Sequence, residues 1–124
     1  MNIYLVCPVR NCDEKTQKEL DSYVEKLELQ GNKVHYPRRD VCQEDDGCGI
    51  TICKAHRDAI FVCNEVHFWW DSKSTGSHFD FGMAYMLAMI KPIKFVMANG
   101  YDITEHKSYG NVISVLSNLE ATND

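Results

Sequence analysis

The sequence predicts an α/β fold: a flavodoxin- or Rossmann-like three-layer sandwich on a mostly parallel sheet of four to five strands. Three observations predict it. Short apolar runs rich in β-formers recur along the chain, stretches with helical apolar spacing fall between them, and Gly or Pro stands where an element has to stop. Strands and helices alternating at this spacing give βα units, a sheet covered on both faces and right-handed crossovers.

Ile3 to Cys7 is nearly all apolar and is ended by Pro8, as suits a strand buried on both faces. Asn11 or Asp13 then caps a helix whose apolar positions Leu20, Tyr23, Val24 and Leu27 recur at helical spacing, and Gly31 stops it. Lys33 to Tyr36 reads as the second strand. Pro37 to Gly49 reads as a polar loop carrying the acidic run Glu44, Asp45, Asp46, the mark of a solvated segment. A helix over Ile50 to Cys63 presents Ile52, Ala55, Ala59, Ile60 and Val62 as a broad apolar face, and Val66 to Trp70 supplies the third strand. Ser77 opens a helix through Ile90, Pro92 bars its continuation, Ile93 to Ala98 forms a strand, and Tyr109 to Leu119 closes the chain as an amphipathic helix. One domain over residues 1–124 is expected, since chains of this size bury roughly two-thirds of their unfolded surface around one core.

With 44% hydrophobic and 25% charged residues, the composition is that of a globular chain. A net charge of -5 and a pI near 5.5 exclude broad nucleic-acid binding, which needs a basic stripe against the phosphates. Small molecules are the expected partners. Apolar stretches such as Ile3 to Val9 and Phe79 to Ile90 are too short or too interrupted to span a bilayer, and the N-terminus lacks a basic segment followed by an apolar signal region, so a cytoplasmic location is expected. The six cysteines are then read as reduced thiols. Cys42, Cys48, Cys53 and His56 are the residues to weigh for zinc, but their spacing lacks the paired CxxC form, and no metal or cofactor is expected.

In doubly wound sheets, ligands bind beyond the carboxyl ends of the strands. That directs attention to Pro8 to Asp13, Pro37 to Gly49 and Asp71 to Asp80. Ser77-His78-Phe79-Asp80 fits a capping box, which would place Asp80 in the first helical turn, ionised by local amides and the helix dipole. A carboxylate so held serves as a cap and also as a nucleophile or a stabiliser of cationic charge. Ser74, Thr75, Gly76 and Ser77 offer hydroxyls and amides to an anion such as phosphate, and Arg10 and Asn11 add contacts from the neighbouring loop. Neither GxxxxGK[ST] nor GxGxxG occurs. Among Phe68, Trp69 and Trp70, at least two belong in the core, and Trp70 at the strand end is the one placed to stack on a base. Met83, Met86 and Met89 form a stripe suited to core or subunit interface; an exposed stripe favours a homodimer.

The stretches "IYLVCPVRN" (3 to 11), "AIFVCNEVHFWW" (59 to 70) and "STGSHFDFGMAYML" (74 to 87) resemble the nucleoside 2-deoxyribosyltransferase superfamily, nearer its 2'-deoxynucleoside 5'-monophosphate N-glycosidase branch. The third stretch is the most specific. The resemblance implies that Tyr4 supports the catalytic carboxylate and that Asp80 stands where the family carries its Glu nucleophile, one methylene shorter. It implies phosphate contacts at Ser74 and Arg10, and it puts His56 where the family carries a helical Asp; Asp58 is two positions away. The implied chemistry is hydrolysis or transfer at the N-glycosidic bond of a (deoxy)nucleoside 5'-monophosphate, with Asp80 and Tyr4 at the centre. His56 or His78 would be the proton donor to the leaving base, and Asn11, Gly76, Ser77 and Trp70 would complete the substrate contacts. Two alternatives stand beside it: a nucleotide-binding protein on the same fold without turnover, and a relative that cleaves the glycosidic bond of NAD. A homo-oligomer is expected.

Overall fold

The computed structural model describes residues 1–44 and 47–119. Of the acidic run in the second loop, Asp45 and Asp46 therefore lie outside the described residues. Four strands form one sheet: β1 (Asn2–Val6), β2 (Lys33–His35), β3 (Glu65–Phe68) and β4 (Lys94–Met97). All pair in parallel in the order β2-β1-β3-β4. The chain winds outward from β1 to β2, then crosses back to place β3 on the other side of β1. A crevice opens at such a switch point, beyond the carboxyl ends of β1 and β3.

Side-chain alternation in β1 builds both layers of core. Ile3, Leu5 and Cys7 face α1 (Glu14–Leu29), whose Leu20, Val24 and Leu27 complete a cluster with Val34 and Tyr36. Tyr4 and Val6 face the opposite side, where α3 (Ile50–Phe61) contributes Ile60, α4 (Thr75–Leu87) contributes Phe81 and Ala84, and α5 (Tyr109–Ser117) contributes Ile113. Phe68 and Phe95 meet edge to face in this layer. Of the three aromatics ending the third strand run, Phe68 and Trp70 join this core, and Trp69 packs half-buried on the α1 side.

Of the two candidate caps for α1, Asp13 is the one used: its carboxylate accepts from the Thr16 amide at 2.7 Å. Asn11 instead turns the chain with φ of 55°, a left-handed conformation that Asn tolerates better than most residues. Two expectations are corrected. The segment after β2 is not all loop: Pro37–Asp40 forms a short helix, α2, because Pro37 at its first position is preset for helical φ and Asp40 Oδ2 accepts from the Tyr36 amide at 2.8 Å. The second correction concerns α4. It begins at Thr75 with Ser74 as its cap, not at Ser77, so Asp80 stands in the second turn, away from the helix-end amides. The better cap is the serine whose backbone is extended, and Ser74 is preceded by a turn in which Asp71 accepts from the Lys73 amide.

Candidate active site

Four side chains from four elements converge under the carboxyl half of the sheet. Tyr4 projects from β1 toward the α3–α4 layer and is wholly buried. Its hydroxyl donates to Asp80 Oδ2 at 2.9 Å. On the other oxygen, Oδ1, Asp80 accepts from His56 Nδ1 at 3.1 Å. His56 comes from α3, and the Asp80 and His56 side chains are only 5% and 12% exposed. His35 sits opposite Tyr4 in the parallel register of β1 and β2, and its ring stacks on the Tyr4 ring with centroids 5.2 Å apart.

Electrostatics follow from burial. The Tyr4 phenol is pushed well above its ordinary pKa, first by burial and then by the neighbouring Asp80 charge, so it remains a neutral donor. Burial likewise pushes the Cys7 thiol up to about 12, which keeps it unreactive beneath the site. Burial holds His35 below the usual histidine range. The Nε2 atoms of His35 and His56 are buried with no hydrogen-bond partner, the two such side-chain nitrogen or oxygen atoms among the described residues. Unpaired buried polar atoms are exceptional in folded proteins and commonly mark a ligand or proton-transfer position.

The start of α4 forms a second cluster. Ser74 Oγ accepts from the Ser77 amide at 3.3 Å and shares a hydrogen bond of 2.8 Å with the Ser77 hydroxyl. His78 Nδ1 donates to the Ser74 carbonyl at 2.7 Å, and its ring lies between Trp70 (4.8 Å) and Tyr109 (5.3 Å). Gly76 is exposed in the same first turn, and Arg10 and Asn11 are exposed on the loop after β1. Trp70 is buried against Phe81 and His78, with part of its surface on a crevice of about 370 Å³ shared with Pro8, Asp71 and Tyr101.

The structure thus brings Tyr4, His56 and Asp80 into direct contact, as the sequence-level assignment grouped them, and brings Ser74, Ser77 and His78 together at the helix start. Of the two histidines weighed for proton transfer, His56 is the one bonded to Asp80. Asp58 points into solvent and pairs with Arg57 at 2.9 Å. His35 is the member that sequence reasoning missed. In a three-residue strand, alternation is too short to assign its face; the usable signal was its place at the carboxyl end of the strand beside Tyr4. All six cysteines are free thiols, and no three His, Cys, Asp or Glu residues are grouped to hold a metal among the described residues. Cys42, Cys48 and Cys53 are exposed.

No family model matches the chain, and no curated protein matches it in sequence. Solved structures do. A 2-deoxyribosyltransferase from the psychrotolerant bacterium Bacillus psychrosaccharolyticus superposes with a TM-score of 0.63 at 18% identity, over 95% of this chain and 91% of that one. The CMP N-glycosidase BcmB of Clostridium botulinum gives a TM-score of 0.59 at 21% identity, over 98% of this chain and 82% of that one. At these identities the likeness establishes a shared fold.

Proposed function

We propose that this protein cleaves the N-glycosidic bond of a (deoxy)nucleoside 5'-monophosphate, passing the sugar to water or to a second base. The observation that carries the reading is the buried Tyr4–Asp80–His56 constellation, with hydrogen bonds of 2.9 and 3.1 Å on the two carboxylate oxygens. N-glycosidic cleavage develops positive charge at the anomeric carbon and needs a proton for the departing base. A fixed carboxylate beside an imidazole serves both needs. The shared fold with a 2-deoxyribosyltransferase and a CMP N-glycosidase supports the same reading.

Phosphate is assigned to the start of α4, where the helix dipole and the first-turn amides of Thr75 and Gly76 favour an anion, with Ser74, Ser77 and Arg10 contributing from either side. The crevice edged by Trp70 takes the base, and His78 packs against the Trp70 ring at 4.8 Å; Asn11 is proposed as a further contact from the loop after β1. The cytoplasm, where the free thiols stay reduced, is the proposed setting. Incubation with each deoxynucleoside and ribonucleoside monophosphate, and with NAD, is expected to release free base from a deoxynucleotide. An Asp80→Ala variant that retains full activity would overturn the assignment.

A second reading has its own support. The Asp80 carboxylate is sealed and has both oxygens engaged, as suits a protein that binds a nucleotide without turning it over. Titration calorimetry separates the two: stoichiometric binding with the nucleotide recovered intact supports the binding protein, and release of base excludes it.

A further inference from the structure

We propose that the crevice beside Trp70 selects bases carrying an exocyclic amino group, with the Asp71 carboxylate accepting from that amine and the Tyr101 ring as a fixed wall. The inference rests on the N-glycosidase reading, which places the base in this crevice, and adds to it the class of base. The crevice holds about 370 Å³, at the small end of the range of about 300–1,000 Å³ in which small molecules bind.

Asp71 is held from both directions along the chain. Just before it, the Asn99 side chain accepts from the Trp70 amide at 2.9 Å and donates to the Trp70 carbonyl at 3.1 Å, fixing the end of the third strand run to the segment after β4. Just after it, the Ser74 amide donates to the Asp71 carbonyl at 3.0 Å, and the Lys73 amide donates to Asp71 Oδ1 at 2.9 Å. That turn occupies Oδ1 alone. Oδ2 has no hydrogen-bond partner among the described residues, and Asp71 is half-buried on the crevice.

Tyr101 is fixed by a separate set of contacts. Its hydroxyl donates to Asn111 Oδ1 at 3.0 Å and lies 3.1 Å from the Ser108 hydroxyl. Asn111 in turn bonds the Thr104 amide and carbonyl, which ties the segment between β4 and α5 to the helix. The ring lies against Gly110, where an added Cβ would come within 2.4 Å of it. Glycine is required there for room. With its one proton committed to Asn111, Tyr101 offers the crevice an aromatic surface and no donor.

The other polar side chains lining the crevice are the Asp71 carboxylate and the Thr16 and Ser72 hydroxyls, with no Lys, Arg or His. A carboxylate only accepts. An amine such as N4 of cytosine donates to it, whereas the O4 of uracil in the same place sets oxygen against oxygen. Binding alone is involved, and no covalent step enters the proposal.

Deoxycytidine and deoxyuridine 5'-monophosphate, which differ at that edge, provide the test. A hydrogen bond to a charged group predicts a kcat/KM higher for the cytosine nucleotide by about 10- to 100-fold. Equal or reversed values overturn the proposal and leave the N-glycosidase reading standing. Asp71→Asn keeps an oxygen for the Lys73 amide and turns an NH2 toward the crevice; the ratio is expected to fall at least tenfold, and an unchanged ratio overturns the Asp71 role. Gly110→Ala, which displaces the ring, and Tyr101→Ala, which removes it, are expected to raise KM for both nucleotides; unchanged KM values in both variants overturn the Tyr101 role. Release of no base from any nucleotide overturns the N-glycosidase reading, and titration calorimetry then decides the crevice by itself. Tighter binding of the cytosine nucleotide, lost in Asp71→Asn, upholds the proposal, and equal binding overturns it.

Discussion

Asp80 draws its surroundings from three other elements, and Tyr4 is the contact whose removal isolates that dependence most cleanly. Tyr4→Phe keeps the ring, its stack on His35 and its packing, and deletes only the donor to Asp80 Oδ2. A buried carboxylate oxygen that loses its partner costs about 1–3 kcal/mol. Chemical denaturation is expected to show that loss, together with a lower kcat for base release. Unchanged stability and activity would mean that the 2.9 Å bond contributes nothing. At this scale the sequence was informative where a residue sat in a recognisable stretch: Tyr4 and Asp80 were both legible. The partners of Asp80 were less so. His56 was one of two histidines offered for the same task, and His35, which stacks on Tyr4 rather than bonding Asp80, was not singled out, because which imidazole meets the cluster depends on helix rotation and strand register.

Elements add what single residues do not. On β3, His67 lies on the α1 side of the sheet, accepts at Nδ1 from the Tyr23 hydroxyl of α1 and donates through Nε2 to Glu65 at 2.8 Å, so the neutral ring ties the helix to the strand. Burial lowers the pKa of His67 and, on β2, of His35, from the ordinary 6.5. The unfolded chain therefore binds more protons than the folded one just below that value. Stability is expected to be full above about pH 6.5 and to fall as acid is added through 6.5 toward the lowered folded-state values. Each histidine adds a limiting slope of about 1.4 kcal/mol per pH unit. Denaturant titrations at pH 7.5, 6.5 and 5.5 check this, and His67→Gln is expected to flatten the curve; a flat wild-type profile would refute it. Element order was readable from apolar periodicity and from Gly31 and Pro92. Boundaries were less readable: Ser74 and Ser77 are equally good caps in the sequence, and only the extended backbone at Ser74 chose between them. Pro37 was read as the start of a loop, whereas the Asp40 bond to Tyr36 makes it the start of a turn of helix.

For the whole molecule, the outer surface of α3 and α4 is the feature with a consequence. Phe61, Met86 and Ile90 are 65%, 64% and 75% exposed around a groove of about 650 Å³ floored by Ile60 and Met83. The methionine stripe is thus split: Met83 packs on the core, and Met86 and Met89 face outward. Exposed apolar surface of this kind marks an interaction site, and we propose a second copy of the chain as its occupant. Light scattering after size-exclusion chromatography is expected to give a dimer for the wild type and a monomer for Met86→Lys combined with Ile90→Glu; a wild type monomeric at every concentration would refute it. Among the described residues no helix is long and apolar enough to cross a membrane. By itself the sequence determined the parallel α/β architecture and the two stretches that meet at the site. The architecture rests on periodicity and punctuation, which are local, and the pairing of the two stretches rests on their resemblance to a known family. The tertiary structure decided which side chains touch Asp80, which nitrogens remain unpaired and how deeply the carboxylate is sealed. Those depend on how α3 and α4 pack across β1 and on the register of β2 beside it, and side-chain contacts between elements distant in the chain leave no periodic trace in it.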